Sequence, residues 1–145
     1  MDQEGNYLVR AESVWFFYDT EKMIPVRVMP EDVAAYGEEE AFDLEKAPRK
    51  IAVPKEYIEG TPVTIAAHHL DTNHHVNNAQ YVDIAREAVP CTKMVKEIRA
   101  DYKKAAVLGE VLIPRVTNTG KDEWTVVLAD EAGEARAVVW LRYEE

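Results

Sequence analysis

The sequence is short of several things, and each shortage narrows what the chain can be. It has one cysteine, Cys91, among 145 residues, which excludes an intrachain disulfide and a cysteine-based metal site within one chain. No apolar run approaches the roughly 20 residues needed to cross a bilayer. Basic residues are scarce: 17 Lys and Arg stand against 27 Asp and Glu, a formal charge of −10. That balance disfavours nucleic acid and anionic membrane surfaces as partners. The opening MDQEGNYLVR is acidic and polar and does not read as a targeting peptide. A soluble, cytoplasmic protein is the expectation. The length suits one domain with an extension better than two full domains.

The charge that is present is uneven. Residues 1–50 hold 12 acids against 6 bases, whereas Arg86, Lys93, Lys96, Arg99, Lys103 and Lys104 make residues 86–104 locally basic. Residues 7–18 and 23–29 are rich in aromatic and β-branched types and read as strands, the second irregular because Pro25 lacks an N–H. Pro30 suits the start of a short helix, PEDVAAY, ended by Gly37. The acidic run Glu38–Glu40 and the stretch to Lys50 read as a linker. Beyond it, residues 61–68 read as a strand and 77–89 as a helix stopped by Pro90. Asn77 and Gln80 resemble a capping box. The helix has an apolar stripe of Val82, Ala85 and Val89, padded by Tyr81, Ile84 and Ala88. Strand-like runs follow at 94–104, 107–117, 123–130 and 135–143, with turn signals at 118–121 and 131–134. One helix followed by consecutive strands with tight connections implies an α+β fold, an antiparallel sheet with the helix packed on it.

The densest chemistry is HHLDTNHHVNN, residues 68–78, which contains all four histidines. It lies at the junction of strand and helix, where the first helical N–H groups are unsatisfied and can bind a carbonyl oxygen or oxyanion. In an extended segment Asp71, Asn73 and His75 share one face and His74 points away. Backbone N–H groups at Val76, Asn77 and Asn78 are the candidate donors to substrate. His68 and His69 read as a polar strand end, Tyr81 and Cys91 as packing. A metal site built from the histidines and Asp71 is the rival reading, disfavoured by the alternating directions of adjacent residues and the Asn-rich context. No metal and no cofactor is expected.

Asp71-Thr72-Asn73-His74-His75-Val76-Asn77-Asn78 with Tyr81 resembles the D-x-N-x-H-V-N-N-x-x-Y signature of the fatty acyl–acyl-carrier-protein thioesterases. The resemblance covers residues 51–145 in element order. SVWFFYDTEKMIPVRVMPED resembles the end of that family's first domain. It implies a complete hot-dog domain over 51–145, an antiparallel sheet wrapped on one long helix. Residues 1–50, with their extra N-terminal strands, are then the remnant of a first hot-dog domain plus linker. It further implies hydrolysis of a thioester joining a fatty acyl group to acyl carrier protein or coenzyme A, in fatty acid biosynthesis. Asp71, Asn73 and His75 match the catalytic positions, and the basic stretch 86–104 is the candidate docking face for an acidic carrier protein. Single hot-dog domains generally pair, which implies a homodimer or higher oligomer. Trp15, Phe16 and Phe17 are then expected to pack on 51–145 or at a subunit interface. One departure stands out: Ala105 occupies the position of a further catalytic glutamate. This implies a slow thioesterase, or an acyl-thioester-binding or regulatory protein, unless Glu110 substitutes. A hydratase of the same fold is the weaker alternative, disfavoured by the HVNN spacing.

Overall fold

The computed structural model describes residues 3–22, 24–37, 40 and 48–144. Met23, Glu38, Glu39 and most of the expected linker (41–47) lie outside the described residues. The chain divides into two compact units, 1–47 and 48–145.

In the first unit, β1 (Phe17–Asp19) and β2 (Ile24–Val26) form an antiparallel hairpin with Phe17 opposite Val26. Asp19 closes the turn by accepting the N–H groups of Glu21 and Lys22 at 3.0 and 2.8 Å, the use of a short acidic side chain that favours Asp in turns. The short α1 (Pro30–Ala34) begins at a proline, whose missing N–H costs nothing there. The strand expected over 7–18 forms only at Phe17–Asp19, and that over 23–29 only at Ile24–Val26. A β-prone sequence needs a partner strand for its backbone groups, and the hairpin pairs only three residues on each side. Trp15 is 82% exposed and Phe16 64%.

The second unit contains β3 (Ile58–Glu59), β4 (Val63–Thr64), α2 (Asn78–Ala88), β5 (Val95–Tyr102), β6 (Val111–Gly120), β7 (Glu123–Ala129) and β8 (Ala135–Tyr143). All pairings are antiparallel, in the order β3-β6-β7-β8-β5, with β4 also on β6. The strand expected over 61–68 forms only as β4, with the short β3 lying before it at 58–59. The interruption faces Pro114 of β6, which has no N–H to donate and whose carbonyl accepts from Gly60 at 2.7 Å. Pro62 adds a second missing donor in the same gap. Residues 67–69 turn into a single 3-10 turn. The strand expected from 107 begins at Val111, and the strand expected over 94–104 spans Val95–Tyr102.

The sheet packs α2 against β6, β7 and β8. Tyr81, Ile84 and Ala85 of α2 join Leu112, Val126, Leu128, Val139 and Leu141 in the main core. Of the expected stripe, Ala85 and Val89 are buried as expected, while Tyr81 and Ile84, expected as padding, are buried in place of Val82. On the opposite face Val127 and Val138 pack with Ile51. Burial on both faces explains why β7 and β8 read as nearly continuous apolar runs. Asn77 caps α2, its side-chain oxygen accepting from Ala79 N–H at 2.9 Å. Gln80 gives its backbone N–H to the Asn77 carbonyl, so a one-sided cap replaces the expected reciprocal box.

Candidate active site

The segment before α2 is a closed turn. The Asp71 N–H donates to the His75 carbonyl at 2.8 Å, and Leu70 pairs with Val76 across the neck. Inside it, Asp71 Oδ1 accepts the N–H of Asn73 at 2.8 Å and of His75 at 3.2 Å. His74 takes a left-handed conformation, φ 61°, which a residue with a Cβ adopts when its surroundings enforce it. The segment is therefore not extended, and Asp71, Asn73 and His75 do not share one face by alternation. The turn brings the three together by another route. Loss of solvent pushes the Asp71 carboxyl up. The amides of His75 and Asn73, the His75 charge and the Asn73 side chain outweigh that and hold it below its ordinary 3.8. Asn73, His74 and His75 are exposed, and Asp71 is half-buried.

Of the three backbone donors expected at the helix start, two are engaged within the fold. Val76 N–H donates to Ala106 O and Asn77 N–H to His69 O, both at 2.9 Å. Val76 is buried besides. The N–H of Asn78, first residue of α2, is the donor left for a ligand oxygen.

A second segment, 105–110, lies against this turn. Val107 pairs with His75 in an antiparallel bridge. The Ala106 N–H donates to the buried hydroxyl of Tyr81 at 2.8 Å. Glu110 Oε2 accepts from Val107 N–H at 3.2 Å, and Glu110 Oε1 meets Arg136 Nη2 at 2.9 Å. Arg136, 7% exposed, also donates to Ala105 O at 3.1 Å and pairs with Asp130 at 3.2 Å. Tyr102 donates its hydroxyl to Asn78 O at 3.2 Å. Burial raises both phenols, Tyr81 and Tyr102, so neither serves as a base near neutrality. Ala105 is exposed. The role of Tyr81 is thus more than packing, and its place in the D-x-N-x-H-V-N-N-x-x-Y spacing was the available signal. Arg136 carried no signal in its neighbourhood.

The remaining histidines are accounted for locally. His69 Nδ1 accepts from Ala66 N–H at 2.9 Å, and its ring lies 4.0 Å from that of His68. Burial, then the His68 charge, lower the His69 pKa from 6.5. The unfolded chain therefore binds the proton more readily, and stability rises with pH between the folded value and 6.5. The stabilisation is complete above about 6.5 and declines as pH falls below it. The urea midpoint is expected to drop from pH 7.5 to pH 5.5, and to drop less in His69→Gln. An equal drop in both chains counts against this assignment. Among the described residues, no three His, Cys, Asp or Glu side chains group as a metal site requires, and no helix is long and apolar enough to cross a membrane.

Four cations of the basic stretch sit beside acids, two of which, Asp122 and Glu134, the fold brings from a distance. Lys93 meets Asp122 at 2.7 Å, Lys104 meets Glu134 at 3.1 Å, Lys103 meets Asp101 at 3.3 Å and Arg86 meets Asp83 at 3.6 Å.

Residues 54–137 match the family model of the acyl-ACP thioesterase C-terminal domain. No curated protein sequence matches the chain. Among solved structures, an acyl-ACP thioesterase from Bacteroides thetaiotaomicron is 18% identical with a TM-score of 0.73, over 88% of this chain and 53% of that one. The 12:0-ACP thioesterase from Umbellularia californica is also 18% identical, with a TM-score of 0.67 over 88% and 52%. A Staphylococcus aureus protein in complex with CoA is 17% identical, with a TM-score of 0.56 over 63% and 77%. The chain thus spans about half the length of the acyl-ACP thioesterase structures it matches. They share with it the antiparallel sheet wrapped on a helix, the hot-dog fold. With its matched segment running from before the first strand of the sheet into the last, the chain belongs to the acyl-ACP thioesterase C-terminal domain family.

Proposed function

We propose that the chain hydrolyses fatty acyl thioesters, with acyl carrier protein as the carrier and coenzyme A as the alternative, releasing the free fatty acid and the carrier thiol. The observation that carries this reading is the turn closed by Asp71, which holds the backbone amides of Asn73 and His75 just before the start of α2 at Asn78. His75 takes a proton from water, and the water oxygen bonds to the acyl carbon. The thioester oxygen collects negative charge near the Asn78 N–H at the start of α2. The C–S bond then breaks and the sulfur leaves with a proton. Asp71 fixes the turn and supplies negative charge to His75, and Asn73 orients water or substrate. General acid–base help is worth about 10²–10⁴ in rate, and one oxyanion donor about 10²–10³.

Residues 1–50 serve in this reading as the tail of a first hot-dog domain and linker, and 51–145 as the catalytic domain, working in the cytoplasm. The open edge of β5, with Ile98 and Tyr102 exposed beside it, is the surface for pairing with a second copy. The ion pairs of Arg86, Lys93, Lys103 and Lys104 reduce the positive charge of 86–104 open to carrier docking, which favours recognition of the acyl-pantetheine arm, common to both carriers, over a basic docking face. The second reading, an acyl-thioester binder with little turnover, is favoured by Ala105. Purified chain is tested on acyl-carrier-protein and acyl-CoA thioesters, beside His75→Ala. Hydrolysis that falls about a hundredfold or more in the variant supports the first reading. Tight binding without hydrolysis supports the second, and hydrolysis unchanged in His75→Ala removes the assignment.

A further inference from the structure

We propose that the Glu110–Arg136 ion pair is the positioning device of this site, setting the place of His75 through the 105–107 backbone. The proposal rests on His75 being the working base, and deepens that reading. Three consecutive residues carry the link. The Ala105 carbonyl is held by Arg136 Nη1 at 3.1 Å. The Ala106 carbonyl receives Val76 N–H at 2.9 Å, while its own N–H is held by Tyr81. Val107 pairs with His75, and its N–H is held by Glu110 Oε2 at 3.2 Å. Residues 75 and 76 on the catalytic turn are thus each tied to a residue that is fixed from its other side.

The anchor is stiff where it has to be. Arg136 sits on β8, is 7% exposed, and spreads its two terminal nitrogens over Glu110, Ala105 and Asp130. Ala106 is fully buried. The planar guanidinium fork restricts both partners in direction as well as distance. Glu110 is held on two sides. Both its oxygens already accept, one from Arg136 and one from a backbone N–H. Its part in this device is geometric.

Asp130 supplies an internal control. It shares the Arg136 guanidinium, yet its other oxygen caps the turn at Ala132 and Glu134, away from 105–107. Glu110→Ala and Asp130→Asn are therefore compared in the full chain. Two readouts are taken: the imidazole carbon–proton NMR signals, and kcat with KM. All four histidines lie within 68–75, so the imidazole spectrum reports on this segment alone. Glu110→Ala is expected to move the His75 signals and to lower kcat about tenfold or more at a KM within about twofold, the mark of a displaced base. Glu110→Gln, with one acceptor for two donors, moves the same signals less. Asp130→Asn lowers the melting temperature but leaves the His75 signals in place. His75 signals unmoved in Glu110→Ala, or moved equally in Asp130→Asn, overturn the proposal. A chain that hydrolyses no thioester sinks the functional reading, while the NMR comparison still decides this one.

Discussion

Arg136→Ala is expected to lower the unfolding free energy by about 3 kcal/mol, the scale at which buried ion pairs fail when one partner is removed. The variant leaves the partly exposed Glu110 and Asp130 carboxylates without their cation and the Ala105 carbonyl without its donor. Natural domains hold only about 5–15 kcal/mol in reserve, so the effect is a large fraction of the whole. Urea unfolding followed by tryptophan fluorescence measures it, and a loss below about 1 kcal/mol counts against a buried guanidinium engaged through both terminal nitrogens. Arg136→Met combined with Glu110→Gln and Asp130→Asn is expected to regain part of the loss, since no charge is then stranded.

Asp71→Ala is expected to lower kcat/KM for acyl thioesters by about 10²-fold or more, the size of effect that a misplaced reacting group produces. The alanine chain loses the acceptor for the Asn73 and His75 amides, and with it the force that holds His74 at positive φ. Asp71→Asn keeps an oxygen in the same place and removes the charge. It is expected to retain more activity than Asp71→Ala because the turn survives. Equal loss in both variants would assign Asp71 the chemistry itself, as base or nucleophile. The hydrogen-bonded carboxyl stays ionised down through its ordinary 3.8, so its contribution is present throughout the neutral range and fades only in stronger acid.

What the sequence made legible was whatever depends on near neighbours. The helix runs from its cap at Asn77 to the stop before Pro90, and β8 covers 135–143 as expected, because capping and a short apolar run bounded by turn residues are local signals. The identities in 68–78 were legible for the same reason. Their arrangement was not. Asp71 binding two amides ahead of it, and His74 turning left-handed, replace the alternation that an extended segment gives. The outer strand was misplaced because its interruption is set by Pro114, some fifty residues away in sequence from Gly60. Arg136 was missed for a similar reason: its contacts to Glu110 and Ala105 span 26 and 31 residues. The β-prone run 7–18 shows the opposite error, a strong local preference with too few pairing partners to realise it.

The break between β3 and β4 has a consequence for how copies of this chain can meet. A sheet grows at its edges, and growth needs an uninterrupted row of backbone donors and acceptors. On one side that row is split by Gly60–Pro62, so an incoming strand finds two residues, a gap, and two more. On the other side β5 offers eight residues in sequence. A subunit with one usable edge can join a single neighbour by a two-fold contact, and the second edge then leads nowhere. If copies meet edge to edge at this sheet, the row split at Gly60–Pro62 gives a further copy no continuous strand to pair with.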